Sequence, residues 1–160
     1  MSIYNKYLVF RITIVQIKEE LDIHFKRIDM ILPEVKSYLP FSNDDFEDIE
    51  KIKAIDSFIY RFTKIQDKMG DKFFPATLRE LQEYKNSMAL IDVLNRLEKL
   101  ELLENSDDWI DYRKLRNSLT HEYPNNSDDV LEAINLSIEV YETMKTIYFK
   151  MLKRIDLSSH

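Results

Sequence analysis

The sequence predicts an all-α protein, an antiparallel up-and-down bundle of four to five helices that forms one domain over residues 1–160. Two observations carry this prediction. Apolar residues recur at spacings of three and four along most of the chain, the period of a helix with one buried face. The chain also has one glycine and four prolines, too few turn-forming residues for many short strands.

The first half of the chain predicts two long helices, each with one apolar face. The first should end between Pro33 and Pro40, while the β-branched residues of segment 8–15 leave its start open. The segment Ser42–Asp45 is predicted to cap the second helix, and Gly70 to end it. The two apolar faces comprise Ile14, Ile17, Leu21, Phe25, Ile28 and Leu32, and then Ile52, Ile55, Phe58, Ile59, Phe62 and Ile65.

The second half predicts a break at Phe73–Pro75, a short helix through Leu78 and Leu81, and a third long helix over residues 88–103. Segment 105–108 has the composition of a helix cap, so Trp109 should open the next helix. A loop over 124–128 then precedes a final helix that runs to Lys153. The buried faces of the third and final helices are predicted to comprise Ile91, Leu94, Leu97 and Leu100, and then Ile134, Ile138, Tyr141, Met144, Tyr148 and Met151.

Composition restricts the classes of function. Hydrophobic residues make up 44% of the chain and charged residues 32%, which excludes a disordered segment. No apolar run approaches the roughly 18 residues of a membrane span, and segment 7–10 is too short for a signal peptide. Because there is no cysteine, neither disulfides nor thiolate metal sites can form, and we expect a cytoplasmic protein.

The net charge of −6 argues against a protein that coats nucleic acid through bulk electrostatics. It is compatible with a local phosphate site, since Arg113, Lys114 and Arg116 lie close together. The acidic run over residues 44–50 is most simply a solvated helix start, although a basic partner protein could dock there.

The segment Arg116–Tyr123 is the part of the chain that indicates chemistry. On a continuous helix, Arg116 and His121 would be separated by roughly 140° of rotation and about 7.5 Å of rise, so they would not share a face. Pro124 should end the helix near His121 and let the imidazole turn towards Arg116. A second solution is a composite pocket in which two copies of this helix end meet across a two-fold axis.

These side chains suit phosphoryl transfer without a metal. Arg116 could neutralise charge on a phosphate oxygen, and His121 could exchange a proton with a ribose 2′-hydroxyl or a leaving 5′-oxygen. Asn117 and Ser118 could orient the phosphate or the imidazole, while Tyr123 could bind phosphate or stack on a base. A general acid and a general base would ideally be two histidines. Because each chain supplies one histidine in this segment, His121, a site shared by two chains is favoured.

Arg116 and Asn117, three intervening residues, His121, one residue and Tyr123 together resemble the Arg-x4-His-x-Tyr signature of HEPN-domain ribonuclease toxins, in particular the HepT branch. The resemblance is sharpest over Trp109–Tyr123 and continues loosely into the last helix. Upstream it consists only of apolar-striped helices in the right order. Four fixed positions should recur by chance in about one in several thousand chains of this size.

The resemblance implies an antiparallel helical bundle that dimerises and cleaves RNA without metal or cofactor. It implies that Arg116 and His121 carry the activity. It also implies that the partner is a minimal nucleotidyltransferase antitoxin, which silences the toxin by transferring AMP to Tyr123. Arg113 and Lys114 are placed to hold RNA phosphates, although an ordinary surface role is the simpler interpretation.

Two other interpretations of the segment remain open: a polar network that anchors a helix end, and a non-catalytic module, such as an antitoxin-type or nucleotidyltransferase-associated subunit, that binds a nucleotide. Outside the segment, His24 is interpreted as a partly buried structural histidine and His160 as a disordered terminal residue. Tyr60 is expected to point outward between two core phenylalanines, not to form a base-stacking platform. No spacing of His, Asp and Glu resembles a metal site.

Overall fold

The computed structural model describes residues 2–120 and 128–157, with the backbone alone for residues 7–12. Its described part is all-helical, as the sequence predicts. The α-helices are α1 (Ile3–Ser37), α2 (Ile49–Lys68), α3 (Phe74–Glu80), α4 (Leu90–Lys99), α5 (Ser106–Thr120) and α6 (Asp128–Arg154). A π-helical turn, Met69–Phe73, joins α2 to α3 without a break, so these two form one continuous rod.

Neighbouring long helices are antiparallel, which confirms the up-and-down arrangement. Along α1 and α2, Glu20 pairs with Lys68, whereas His24, further along α1, contacts Arg61, earlier on α2. The buried apolar side chains of the described helices form one continuous core. No helix in the described ranges is both long and apolar enough to cross a membrane.

Two buried tyrosines one heptad apart join α6 to α1. The Tyr141 hydroxyl donates to Asp29 Oδ1 and the Tyr148 hydroxyl donates to Asp22 Oδ1, each at 2.7 Å. The Phe25 ring packs between them, with centroids 5.9 Å from Tyr141 and 4.8 Å from Tyr148. Burial and the hydrogen bonds to these carboxylates raise the pKa of both phenols. These contacts set the register of α6, whose predicted buried face is confirmed in full.

Two predicted boundaries are wrong. Ser42 caps only a 3₁₀ turn over Asn43–Glu47, and the side chain of Asp48 caps α2 instead. Gly70 does not end the helix. It lies inside the π-helical turn without a positive φ, and a Cβ atom there would lie 3.2 Å from Trp109 Nε1. The close approach of the Trp109 indole from a neighbouring helix favours glycine here, a reason that helix-ending statistics do not contain.

The remaining differences are smaller. The predicted break at Phe73–Pro75 is absent, and the helical rod continues through these residues. Pro75 lies in the first turn of α3, where its missing N–H costs no hydrogen bond. The third long helix is only Leu90–Lys99, and Ile91 is 47% exposed, not inward. The helix α1 begins at Ile3 and ends at Ser37, between the two prolines, as predicted.

Candidate active site

The candidate residues lie on the second half of α5, which Trp109 anchors in the core. Asn105 Oδ1 accepts the Asp107 N–H at 2.8 Å and caps the helix. Trp109 is 1% exposed and packs on Phe74 with ring centroids 4.5 Å apart. This contact sets the rotation of α5 about its axis. It therefore decides which of the following polar side chains face α2.

Arg116 faces α2 and pairs there with Asp67, an acid that the sequence analysis did not identify. Arg116 Nη2 donates to Asp67 Oδ2 at 2.8 Å, and Nη1 donates to Asn117 Oδ1 at 3.0 Å. The Arg116 side chain is 28% exposed, and its buried Nε has no hydrogen-bond partner. Two anchors thus fix the plane of the guanidinium while part of it stays open to solvent.

Arg113 and Asn117 lie on the same side of α5 as Arg116. Arg113 is exposed one turn earlier, at the spacing of three that places side chains next to each other. Thr120, the last helical residue before the segment outside the described residues, donates from its hydroxyl to the carbonyl of Asn117 at 3.2 Å. This side of α5 can present two guanidiniums and a carboxamide to an anion.

Lys114 and Ser118 lie elsewhere. Each is two positions from Arg116, which corresponds to roughly 200° of helical rotation, so they occupy the opposite side of α5. The Ser118 hydroxyl donates to the Lys114 carbonyl at 3.2 Å, and the Lys114 ammonium lies 3.7 Å from Asp111. The structure therefore brings together Arg113, Arg116 and Asn117, and does not add Lys114 or Ser118 to them.

His121 and Tyr123 lie outside the described residues, as does His160. The predicted convergence of His121 on Arg116 and the role of Tyr123 therefore stay predictions. The described end of α5 places Thr120 about 6 Å of helical rise beyond Arg116.

Asp67 is the site residue that sequence reasoning missed. It lies 49 residues before Arg116, on α2. The one local signal is that an acid interrupts a run of cations on this helix, Arg61, Lys64 and Lys68. Such a signal acquires meaning only once the packing of α5 on α2 is known.

The acidic run over residues 44–50 and the aromatic residues of α2 make contacts that stabilise the fold. In the acidic run, Asp45 pairs with Lys51 at 2.6 Å, and hydrogen bonds from Lys51 and Ser42 lower the pKa of its carboxyl. Phe58 and Phe62 are buried while Tyr60 points outward, as expected. Among the described residues, no group of three or more His, Asp and Glu side chains is arranged to hold a metal ion.

A cavity of about 420 Å³ lies between the N-terminal half of α5 and α6, lined by Trp109, Tyr112 and Glu139 among others. Burial and the negative charge of Asp108 raise the pKa of Tyr112 there. None of Arg113, Lys114, Arg116, Asn117 and Ser118 lines this cavity, so it is separate from the candidate site.

Comparison with protein-family models, with curated proteins and with solved structures finds no match to this chain. The resemblance to HEPN ribonucleases therefore rests on the motif itself.

Proposed function

We propose that this protein is a metal-independent endoribonuclease toxin of a HEPN/nucleotidyltransferase toxin–antitoxin system of type II or type VII, acting as a cytoplasmic homodimer. The observation that carries the proposal is the state of Arg116, the first residue of the motif. Its guanidinium is held by Asp67 and Asn117, remains 28% exposed, and lies one helical turn before the end of α5.

The proposed reaction is transesterification within the RNA strand. His121 accepts the proton of a ribose 2′-hydroxyl, and the 2′-oxygen attacks the adjacent phosphorus. The bond to the 5′-oxygen breaks, and that oxygen takes a proton from the imidazolium of the second subunit. The products are a 2′,3′-cyclic phosphate and a 5′-hydroxyl. Arg116 would stabilise the charge that develops on the non-bridging phosphate oxygens, with no cofactor.

The other residues of the segment have supporting roles in this proposal. Asn117 holds the guanidinium through its side-chain oxygen. Arg113 and Tyr123 would contact RNA next to the scissile phosphate. Lys114 and Ser118, on the opposite side of α5, would contribute only where the strand passes around the helix or where a second subunit approaches. Tyr123 would also accept AMP from the cognate minimal nucleotidyltransferase antitoxin.

The test is incubation of the purified protein with total RNA in EDTA, with analysis of the fragment ends. We expect 2′,3′-cyclic phosphate ends, and we expect Arg116→Ala and His121→Ala to abolish cleavage while circular dichroism and dimerisation stay unchanged. Cleavage by a well-folded His121→Ala protein would contradict the assignment, as would complete dependence on a divalent metal.

A non-catalytic nucleotide-binding module is the second candidate. The observation in its favour is that the Asp67 carboxylate pairs with Arg116 and offsets part of the positive charge that would stabilise a transition state. Intact RNA together with binding of a nucleotide that Arg116→Ala removes would favour this module. Absence of both cleavage and nucleotide binding would leave a purely structural helix end.

A further inference from the structure

An uncompensated cluster of positive charge lies on the outer face of α1 and α2, in a chain whose net charge is −6. We call it the basic patch and define it by His24, Arg27, Tyr60, Arg61 and Lys64. Arg61 Nη1 donates to His24 Nδ1 at 3.1 Å, which joins the two helices within the patch. Burial, together with the positive charges of Arg61, Lys64 and Arg27, lowers the pKa of His24.

The charges of the basic patch are not neutralised within the described part of the chain. Neither Arg27, Arg61 nor Lys64 has a carboxylate within the 4.0 Å of an ion pair. On the same two helices, Lys68 is paired with Glu20. Three unpaired cations around one neutral imidazole repel one another, and an anion bound there would relieve that repulsion.

Two of these cations, Arg61 and Lys64, lie over the ring of Tyr60, which is open to solvent. Its side chain is 54% exposed, although neighbouring residues on the other side of α2 are fully buried. The Arg61 guanidinium lies 5.2 Å from the ring centroid and the Lys64 ammonium 5.5 Å from it. Two cations thus share one phenol ring and limit its motion, while more than half of the tyrosine surface remains available to a ligand.

The basic patch is continuous with the candidate active site. Tyr60, Lys64 and Asp67 follow at spacings of four and three, so they lie along one exposed strip of α2. Asp67 ends this strip at its contact with Arg116. The distance along the helix from Tyr60 to Asp67 is about 10 Å, the reach of a few nucleotides.

Contrary to the expectation from the sequence pattern around Tyr60, we propose that the basic patch binds single-stranded nucleic acid, with an unpaired base stacked on Tyr60 and the flanking phosphates held by Arg61 and Lys64. Only the identity of the strand rests on the proposed function, under which the bound strand is the RNA substrate whose scissile phosphate lies at Arg116. A single strand fits because the bases of a duplex are stacked on each other and cannot reach an aromatic side chain.

An acidic protein partner is the other anion to consider, and the tyrosine decides against it. Carboxylates would be satisfied by the cations alone and would gain nothing from an exposed ring between them. Alternation of an aromatic ring with cations is typical of surfaces that bind single strands, because bases supply the π faces and phosphates supply the charge.

The test measures binding of a fluorescein-labelled single-stranded oligodeoxynucleotide of about 12 residues, within the usual site size. Without 2′-hydroxyls this probe cannot be cleaved by the proposed mechanism, so binding and catalysis are scored separately. The variants are Tyr60→Ala, Tyr60→Phe and the double variant Arg61→Gln/Lys64→Gln. A matched control, Lys153→Gln/Arg154→Gln, removes the same charge from exposed positions at the end of α6.

We expect Tyr60→Ala to weaken binding about ten-fold, because it removes the ring on which one base stacks, and Tyr60→Phe to retain the affinity. The double variant should reduce the slope of log affinity against log salt by about 1.4, and the control should leave it unchanged. Nuclear magnetic resonance should show the His24 pKa rising when the probe binds, because added phosphates favour the imidazolium.

Equal affinity in Tyr60→Ala and the wild type would overturn the proposal, as would equal salt slopes in the double variant and the control. Displacement of the probe by polyglutamate at matched charge would indicate an acidic protein partner and likewise overturn it. The proposed function has a separate readout. Binding at the basic patch without RNA cleavage refutes the nuclease alone, whereas RNA cleavage unaffected by Tyr60→Ala and the double variant refutes the basic patch alone.

Discussion

Replacing Asp67 with asparagine removes the charge beside Arg116 and keeps a side chain of nearly the same shape. In the folded protein Asp67 Oδ2 accepts from Arg116 Nη2 at 2.8 Å. The asparagine can still offer an oxygen to that nitrogen, but without the attraction of a full charge. The guanidinium would then be restrained chiefly by Asn117, its neighbour in sequence.

The expected effects on stability and on catalysis differ in size. The Asp67 side chain is 42% exposed and that of Arg116 28%, so water screens the pair and its loss should cost about 1 kcal/mol or less. In the proposed reaction, catalysis would depend on where the guanidinium lies in the transition state, and a displacement of about 1 Å can reduce a rate about 100-fold. That reduction corresponds to about 2.7 kcal/mol of activation free energy.

The assay compares cleavage of a defined RNA with unfolding by urea in the same preparations. We expect kcat to fall and KM to change little, because in the proposed reaction Asp67 would act on the transition state through Arg116. Asp111→Asn is the matched control: its carboxylate lies 3.7 Å from Lys114, on the opposite side of α5, and should affect neither quantity measurably. Wild-type kcat in a folded Asp67→Asn protein would refute the positioning role.

Two further predictions concern the bundle itself. Burial and the hydrogen bonds to Asp29 and Asp22 raise the pKa of Tyr141 and Tyr148 in the folded protein. Below the unfolded pKa of about 10, both phenols are protonated in the folded and the unfolded state, and their contribution to stability is complete. Above about pH 10, both phenols stay protonated in the folded protein but lose their protons on unfolding, so rising pH favours the unfolded state. The free energy of unfolding should therefore fall by up to about 2.7 kcal/mol per pH unit above about pH 10. Urea titrations of the Tyr141→Phe/Tyr148→Phe protein should show a shallower dependence of this free energy on pH. Equal slopes in the wild type and the double variant would contradict the assignment. Gly70→Val should destabilise the fold by about 2 kcal/mol in urea, because its Cβ would lie 3.2 Å from Trp109 Nε1 in a close-packed core, and an unchanged midpoint would show that the indole can move.

The helices and their buried faces follow from local pattern. The predicted faces of α1 and α6 are buried because apolar residues at spacings of three and four have one way to leave water together. Ile91 shows where the pattern is insufficient. Its spacing to Leu94 fits a helical face, yet α4 is short and buries Val93, Leu94 and Leu97, which leaves Ile91 on the solvent side.

The candidate site was predictable only in part. The residue types and spacing of the motif identified Arg116, because guanidinium and imidazole at that spacing suit phosphate chemistry. The sequence could not say that Lys114 and Ser118 lie on the other side of α5, since the prediction of a helix does not state which residue faces a neighbour. Trp109 packing against Gly70 and Phe74 makes that choice.

By itself, the sequence determined that this chain is helical, where its long apolar faces run, and which eight residues suggest chemistry. The tertiary structure decided that Asp67 holds Arg116, that Gly70 accommodates an indole, and that Arg61 of α2 meets His24 of α1 beside Tyr60. The reason is physical. Helical periodicity is a property of residues three and four apart, whereas an ion pair between positions 49 residues apart exists only after two helices have packed at one register.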